Sequence, residues 1–342
     1  MNIGYIGVGW PDRGQILAFT EAGFIPTAIC SKNIENAKKV AQKYQIPKIY
    51  NSWESMIDDS EIDLFSITTP PWLHYQICKK MIANNKNFIC ESPFLNSHEV
   101  VDLIELIKQK PNRIRVVDFE LRFSPCFEYL KSLIKANELG NIIQVEVNYI
   151  DSFNLSALNV YGWENDKIKG GGVLNLIGAH YLDLIKWLFG DYEIIHVGKH
   201  TAYDQRSDLD GNLTKVTAED YVNIFLKTDK QIIGNIIVNT IQGFGVERSI
   251  CVTGSKKSIY INTEHIKIID SQKKVSEIKL KEINEFQLHF KDKNLHNEFV
   301  YGSVNLAKEI YKVMESRGNY KDLPGLNDML FVQKILEKSD NI

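Results

Sequence analysis

Gly7 and Gly9 close the apolar run Asn2-Ile3-Gly4-Tyr5-Ile6 with a turn that lets backbone come close to a ligand. Gly7 can take conformations barred to larger residues, and Gly9 leaves room on the surface of the turn. A helix expected over residues 14–23 would aim its free amides and positive dipole end at the same spot, with Trp10 and Pro11 between. That combination suits a pyrophosphate and fits the first unit of a dinucleotide-binding fold. The G-x-G-x-x-G pattern is imperfect: Asp12 holds the third small position and the next glycine is Gly14. A carboxylate there repels a pyrophosphate unless the loop turns it outward. The same residues also read as an ordinary glycine-rich strand-to-helix turn.

A second strand, residues 24–30, ends in Ser31-Lys32, where such a fold reads the adenosine ribose. A site for NAD puts a carboxylate there. A hydroxyl and a cation suit a 2′-phosphate instead, so NADP(H) is the expected cofactor and NAD(H) the alternative. Ser31 as N-cap of the next helix (33–44) is compatible with both. Farther along, His180 and Asp183 lie three apart on a helix predicted over 173–189 and share a face, so the carboxylate can orient the imidazole. An imidazole with an ordinary pKa of about 6.5 suits acid–base work near neutrality. The plain alternative pairs Asp183 with Lys186 and leaves His180 as packing. Tyr149, Asp151, Tyr161 and Trp163 can line a substrate pocket or fill a core, and Arg122 can anchor a substrate anion or pair with Glu120. His74, beside Pro70 and Pro71, fits a role in ordering a loop better than one in chemistry. His196 and His200 fall in a predicted strand, where residues four apart stand roughly 13 Å apart and cannot share a metal. The sequence has no H-E-x-x-H, no Cys/His cluster and no G-x-S-x-G.

The elements that position these residues follow from the rhythm of the chain. Strand and helix alternate through the first 120 residues, with strands at 2–6, 25–30, 48–50, 64–68, 87–90 and 113–117, which predicts a parallel, doubly wound sheet. Helices fall between them at 14–22, 34–44, 53–58, 73–84 and 97–109, the last with Ser97 as N-cap. Ligands bind such a sheet at the carboxyl ends of its strands. The residues there are 7–12, Ser31-Lys32, Thr69-Pro70-Pro71-Trp72-Leu73-His74 and Glu91-Ser92-Pro93. Beyond residue 120 longer alternating runs predict an antiparallel sheet with two helices, an α+β domain. The expected division is a dinucleotide-binding domain over 1–120 and a substrate-binding and oligomerisation domain over 121–342. At 342 residues two domains are the prior.

Composition narrows the classes. A net charge of −3 with dispersed lysines and arginines gives no footprint for nucleic acid. No apolar run approaches the ~20 residues of a membrane span, and no basic-then-apolar signal opens the chain, so a cytoplasmic protein is expected. The five cysteines are scattered and mostly in apolar contexts, which reads as reduced core thiols.

The order of motifs carries a resemblance. Gly7/Gly9, Thr69-Pro70-Pro71…His74, Cys90-Glu91-Ser92-Pro93, Glu120-Leu121-Arg122-Phe123-Ser124-Pro125, Gly170-Gly171-Gly172…His180…Asp183, Thr217-Ala218-Glu219-Asp220 and Val252-Thr253-Gly254-Ser255 span nearly the whole chain. The series resembles the Gfo/Idh/MocA oxidoreductases. It implies a Rossmann-type domain, then a domain built on an open antiparallel sheet, and a homodimer or homotetramer formed through that sheet. It also implies that Glu91 and Ser92 stand where members carry Glu-Lys-Pro, whose lysine holds the substrate hydroxyl and carries its proton. Ser92 can donate a hydrogen bond but supplies no positive charge. The Asp that members place four residues before the His is replaced by Leu176, beside Asn175. His180, with Asp183, is then the remaining acid–base candidate. The implied function is an NADP(H)-dependent oxidoreductase acting on a small polar carbonyl/alcohol or imine, with a sugar derivative among the candidates. The alternative is a non-catalytic nucleotide or sugar sensor on the same scaffold.

Overall fold

The computed structural model describes residues 1–262, 265–281, 285, 297–316, 318 and 320–340. The chain divides into two compact units, Met1–Ser124 with Asp292–Phe331, and Pro125–Lys291 with Val332–Ile342.

Six strands build the first unit: β1 (Asn2–Ile6), β2 (Ile25–Cys30), β3 (Lys48–Tyr50), β4 (Leu64–Ile67), β5 (Phe88–Cys90) and β6 (Arg115–Val117). Their order is β3-β2-β1-β4-β5-β6 and every pairing is parallel. All four residues of β4 and all three of β5 and β6 are buried, the unbroken burial that a parallel sheet covered on both faces requires. Helices α1 (Ile16–Glu21), α2 (Ile34–Tyr44), α3 (Trp53–Ile57), α4 (Pro71–Ala83) and α5 (Ser97–Gln109) alternate with the strands. The strand order reverses between β1 and β4, the switch point at which such sheets bind ligands.

Local hydrogen bonds move three expected boundaries. Asn33, not Ser31, caps α2: its side-chain oxygen accepts the N–H groups of Glu35 and Asn36 at 3.1 and 3.3 Å, while Ser31 Oγ accepts the N–H of Asn33. Asn96 rather than Ser97 caps α5, accepting the Glu99 N–H at 3.0 Å, so Ser97 is the first residue inside. The helix expected from Gly14 begins earlier, because Pro11–Gln15 forms one wide turn that runs into α1. Pro11 favours that start, having no N–H to leave unpaired.

The second unit carries an eight-stranded sheet of β7 (Ile142–Ile150), β8 (Tyr192–His200), β11 (Tyr221–Thr228), β12 (Ile233–Asn239), β13 (Glu247–Gly254), β14 (Lys257–Asn262), β15 (Ile266–Asp270) and β16 (Val275–Ile278), beside a small hairpin of β9 (Gln205–Ser207) and β10 (Leu213–Lys215). Its order is β16-β15-β14-β13-β7-β12-β11-β8. The pairings are antiparallel, as expected, except that β7 and β12 run parallel. Those two strands are joined by a long stretch of chain rather than a hairpin, which frees their relative direction. Alternation along β7, β11 and β12 buries Val145, Val147, Val222, Ile224, Leu226, Ile236 and Val238 on one face, whereas Phe225 and Ile233 on the other are more than a third exposed. Helix α6 (Pro125–Lys135) opens the unit, and α7 (Ala179–Phe189) follows a wide turn, Leu174–Gly178, that rests on β12.

Helices α8 (Glu298–Met314) and α9 (Leu326–Lys338) follow. The cap of α8 is Asn297, whose side chain accepts the Val300 N–H at 3.0 Å. Its Leu306, Ala307 and Ile310 join Ile3, Tyr5, Phe19 and Ile29 in the core of the first unit. No helix among the described residues is long and apolar enough to cross a membrane.

Gly302 of α8 meets the backbone of Glu120 so closely that a Cβ would lie 2.2 Å from its carbonyl oxygen. Gly302→Ala must therefore push the helix off the Glu120–Phe123 turn, at an expected loss of about 1–3 kcal/mol, the scale of overpacking. Denaturant unfolding reads this as a lower midpoint at unchanged slope. An unaltered midpoint would contradict the packing.

Candidate functional site

The glycine turn sits where β1 and β4 end side by side. Gly7 has φ +119° and donates its N–H to the Cys30 carbonyl at 2.9 Å, while the Thr68 N–H donates to the Ile6 carbonyl at 2.8 Å. A Cβ on Gly7 would lie 2.5 Å from the Thr68 carbonyl oxygen, so the positive φ and the close approach both call for glycine. At Gly9 the same test meets only the tip of Arg13, at 3.6 Å, which leaves the turn open on that side. Trp10 packs its ring against Gly14, and Pro11 is buried. Asp12 is occupied elsewhere: Lys43 of α2 pairs with its carboxylate at 2.7 Å, and the Tyr44 hydroxyl donates to its carbonyl at 2.9 Å. That ion pair neutralises the charge that the sequence set against a pyrophosphate. Lys32, just past β2, is exposed beside Ser31.

At the ends of β4 and β5, His74 bridges two loops. Its Nδ1 lies 2.8 Å from the Pro93 carbonyl and its Nε2 2.6 Å from that of Thr69, with Phe94 edge-on at 5.7 Å. Burial pushes the imidazole down to about 4, outweighing the two carbonyls that favour the charged form. Thr69, Pro70, Glu91 and Ser92 share this region, and the Ser92–Pro93 peptide is cis. The Thr69 and Ser92 hydroxyls are buried and have no hydrogen-bond partner among the described residues. Two orphaned hydroxyls beside a glycine cradle fit a ligand that brings its own donors and acceptors, as a dinucleotide does. Gln15 links the same strand ends. It donates to Asp118 at 2.9 Å and to Glu91 at 3.5 Å, and it accepts from Ser66 at 2.7 Å. Arg122 is nearly buried, lies over the Phe119 ring, and pairs with Asp328 at 2.8 Å. That ion pair engages the guanidinium within the fold.

In the second unit His180 and Asp183 are both buried, one turn apart on α7. Lys186 pairs with Asp191 at 2.9 Å. Tyr192 donates to the Leu182 carbonyl at 2.9 Å, and burial, then the charge of Asp183, raises its hydroxyl well above the usual range. Tyr181, next to His180, meets Tyr149 edge to face at 6.3 Å. Tyr149 and Asp151 in turn hold Arg248, which lies 3.3 Å from the Tyr149 hydroxyl, 3.4 Å from the Asp151 carboxylate and over the Tyr149 ring. Sequence reasoning missed Arg248, for no local pattern ties it to a carboxylate 97 positions away. Tyr161 and Trp163 lie on a separate loop, where the Tyr161 N–H donates to the Ser207 carbonyl at 2.7 Å. The glycine run has a steric reason. A Cβ on Gly171 would lie 2.4 Å from the Glu164 carbonyl oxygen, and one on Gly172 (φ +102°) 2.4 Å from the Glu219 carboxylate. The Asn175 amide donates to the carbonyls of Gly170 and Gly171 at 3.3 and 3.2 Å, so it fastens that turn.

Among the described residues no group of three His, Cys, Asp or Glu side chains could hold a metal ion. His196 and His200 are both exposed on β8, and the five cysteines are free thiols.

A parallel sheet ordered 3-2-1-4-5-6, with a glycine turn at its switch point, defines a dinucleotide-binding protein of the doubly wound class. Residues 1–118 match the model described as oxidoreductase family, NAD-binding Rossmann fold, and residues 127–260 match that of the GFO/IDH/MocA C-terminal domain. The chain belongs to the Gfo/Idh/MocA family of NAD(P)-dependent oxidoreductases. An uncharacterized oxidoreductase of Synechocystis is 28% identical over 275 residues, 78% of this chain and 73% of that protein. Levoglucosan dehydrogenase of Pseudarthrobacter phenanthrenivorans is 27% identical over 217 residues, covering 60% of this chain and 55% of its own length. Among solved structures, levoglucosan dehydrogenase in complex with NADH and L-sorbose superposes with a TM-score of 0.82 at 19% identity, over 100% of this chain and 97% of that one. An oxidoreductase of Agrobacterium radiobacter in complex with NAD+, L-tartaric acid and magnesium gives 0.80 at 16% identity, over 100% and 95%.

The state of His74 gives a pH test. An unfolded imidazole titrates at about 6.5, whereas burial holds the folded one down to about 4. Between those values the unfolded chain binds more protons, so stability falls as pH is lowered from about 6.5 towards 4. In His74→Gln that loss is absent, so the stability gap between parent and variant should narrow on acidification. A gap that stays constant would show that His74 is not held neutral.

Proposed function

We propose that the chain is an NADP(H)-dependent oxidoreductase that moves a hydride to or from a small polar carbonyl/alcohol or imine, with sugar derivatives the leading substrate class. The observation that carries this reading is the cradle at the switch point, Gly7 pressed on Thr68 with the orphaned hydroxyls of Thr69 and Ser92 at neighbouring strand ends. The backbone of Gly7 and Gly9, flanked by Trp10 and Pro11, receives the pyrophosphate. Ser31 and Lys32 take the 2′-phosphate, and Thr69, Pro70, His74 and Glu91 order the nicotinamide half, while Ser92 serves the chemistry as a hydrogen-bond donor to the substrate. When bound, the nicotinamide supplies or accepts the hydride. His180, oriented from the same helix by Asp183, takes or returns the proton of the substrate oxygen or nitrogen. Arg122, Tyr161 and Trp163 remain the substrate-binding proposals, and Tyr149 and Asp151, which hold Arg248, are further candidates. The sugar reading draws support from levoglucosan dehydrogenase among both the relatives and the fold neighbours.

The proposed assembly is a homodimer or homotetramer formed through the outward face of the eight-stranded sheet, where Ile195, Phe225 and Ile233 are exposed, in a protein of the cytoplasm. One observation favours the sensor reading. Asn175 spends its amide on the glycine turn, next to Leu176, and Ser92 supplies no charge.

Two experiments test the cofactor and proton-transfer assignments. NADPH should bind more tightly than NADH, and Lys32→Ala should shrink the difference by about tenfold, the scale of one charge-assisted hydrogen bond. Equal affinities in the parent would overturn the NADP(H) assignment. On a verified substrate, His180→Ala should lower kcat by ~10²–10⁴-fold with nucleotide affinity almost intact. Normal turnover would move the proton route elsewhere.

A further inference from the structure

The turn after β1 is poor in backbone donors for an anion. Pro11 has no N–H, and the Asp12 N–H is spent within the turn on the Val8 carbonyl at 3.4 Å. Asp12 itself is turned to α2, where Lys43 holds its carboxylate at 2.7 Å and the Tyr44 hydroxyl donates to its carbonyl at 2.9 Å. Arg13 folds back on the glycine turn instead. Its Nε donates to the Gly9 carbonyl at 3.4 Å, and a Cβ added to Gly9 would lie 3.6 Å from its Nη2. Gly9 and Arg13 are both exposed. We propose that Arg13 binds the pyrophosphate of the dinucleotide, supplying from its side chain the donors that Pro11 and Asp12 withhold from the backbone. This inference rests on the reading of the Gly7 turn as a nucleotide site.

The contact to Gly9 is long and uses only the Nε donor. Among the described residues no other hydrogen bond or ion pair engages the guanidinium. Both terminal nitrogens are therefore open to a ligand, and their planar fork matches two oxygens of a phosphate. The neighbouring carboxylate does not cancel this charge, because Lys43 already pairs with Asp12. Gly9 contributes by what it lacks: without a side chain, the surface over it is left to the guanidinium and an incoming phosphate. The pyrophosphate is common to NADH and NADPH. Arg13 should thus hold the two nucleotides alike, whereas Lys32, past β2, is the residue placed to tell them apart.

Nicotinamide fluorescence titrations of the parent, Arg13→Met and Arg13→Lys, with NADH and with NADPH, test this assignment. Met keeps an apolar stem and removes the charge, at an exposed position that the fold tolerates. In Arg13→Met the dissociation constants of both nucleotides should rise by the same factor, about tenfold to hundredfold, the scale of a charge-assisted contact. Arg13→Lys should recover part of that loss, because it restores the charge without the fork. Added salt should weaken NADH binding to the parent more steeply than to Arg13→Met. Unchanged affinity in Arg13→Met, or an equal salt dependence, would overturn the proposal. A loss confined to NADPH would overturn it too, since the guanidinium would then read the 2′-phosphate. A parent that binds neither nucleotide saturably would instead overturn the reading of the turn, and this assignment with it.

Discussion

At Gly7 a hydrogen stands where any other residue would drive a Cβ to 2.5 Å from both the carbonyl oxygen and the hydroxyl of Thr68. The rest of the candidate site depends on that contact. It lets β1 and β4 run in register to their last residues, with Ile6 opposite Ile67, and so leaves the turn beyond them with its backbone uncovered. The wide turn Pro11–Gln15 then delivers Gln15 between β4 and the residues after β5 and β6. His74 draws the loop after β5 onto the loop after β4. A larger residue at position 7 would have to separate β1 from β4, and each of these links would lose its geometry.

The electrostatics of the first unit follow from the same arrangement. Asp118 and Glu120 lie buried at its strand ends, and desolvation raises the Glu91 carboxyl beside them as it lowers the His74 imidazole. Charge that the fold leaves outside is handled differently. Asp12 is paired with Lys43 across a half-exposed bridge, and Lys32 stays exposed near the end of β2. Arg13 reaches the Gly9 carbonyl at 3.4 Å and Lys32 lies exposed past β2, so cations flank the glycine turn, a distribution that favours an anionic nucleotide.

Much of this was legible in the sequence, because short-range rules govern it. The alternation of apolar runs with helical periods marked the six strands, and the spacing of Gly7 and Gly9 marked the turn. The inward–outward alternation after residue 120 marked the second sheet. Boundaries moved where neighbouring polar residues compete for one role: Asn33 displaced Ser31 as a cap and Asn96 displaced Ser97, because a side-chain amide oxygen reached the free amides first. Contacts distant in sequence were hidden. Nothing local pairs Asp151 with Arg248, sets β7 parallel to β12, or sends Leu306 and Ile310 of α8 into the core around Ile3 and Tyr5. The run Gly170-Gly171-Gly172 was visible as a motif, but its reason, close packing on Glu164 and Glu219, required the fold.

Every role proposed for the first unit requires that the Gly7 turn receive a nicotinamide dinucleotide. Nicotinamide fluorescence, titrated against the parent and against Gly7→Ala with its fold verified by circular dichroism, tests that claim most directly. The parent should bind saturably, and the folded variant should not. A parent that shows no saturable binding, or a folded Gly7→Ala that binds as tightly as the parent, would contradict it.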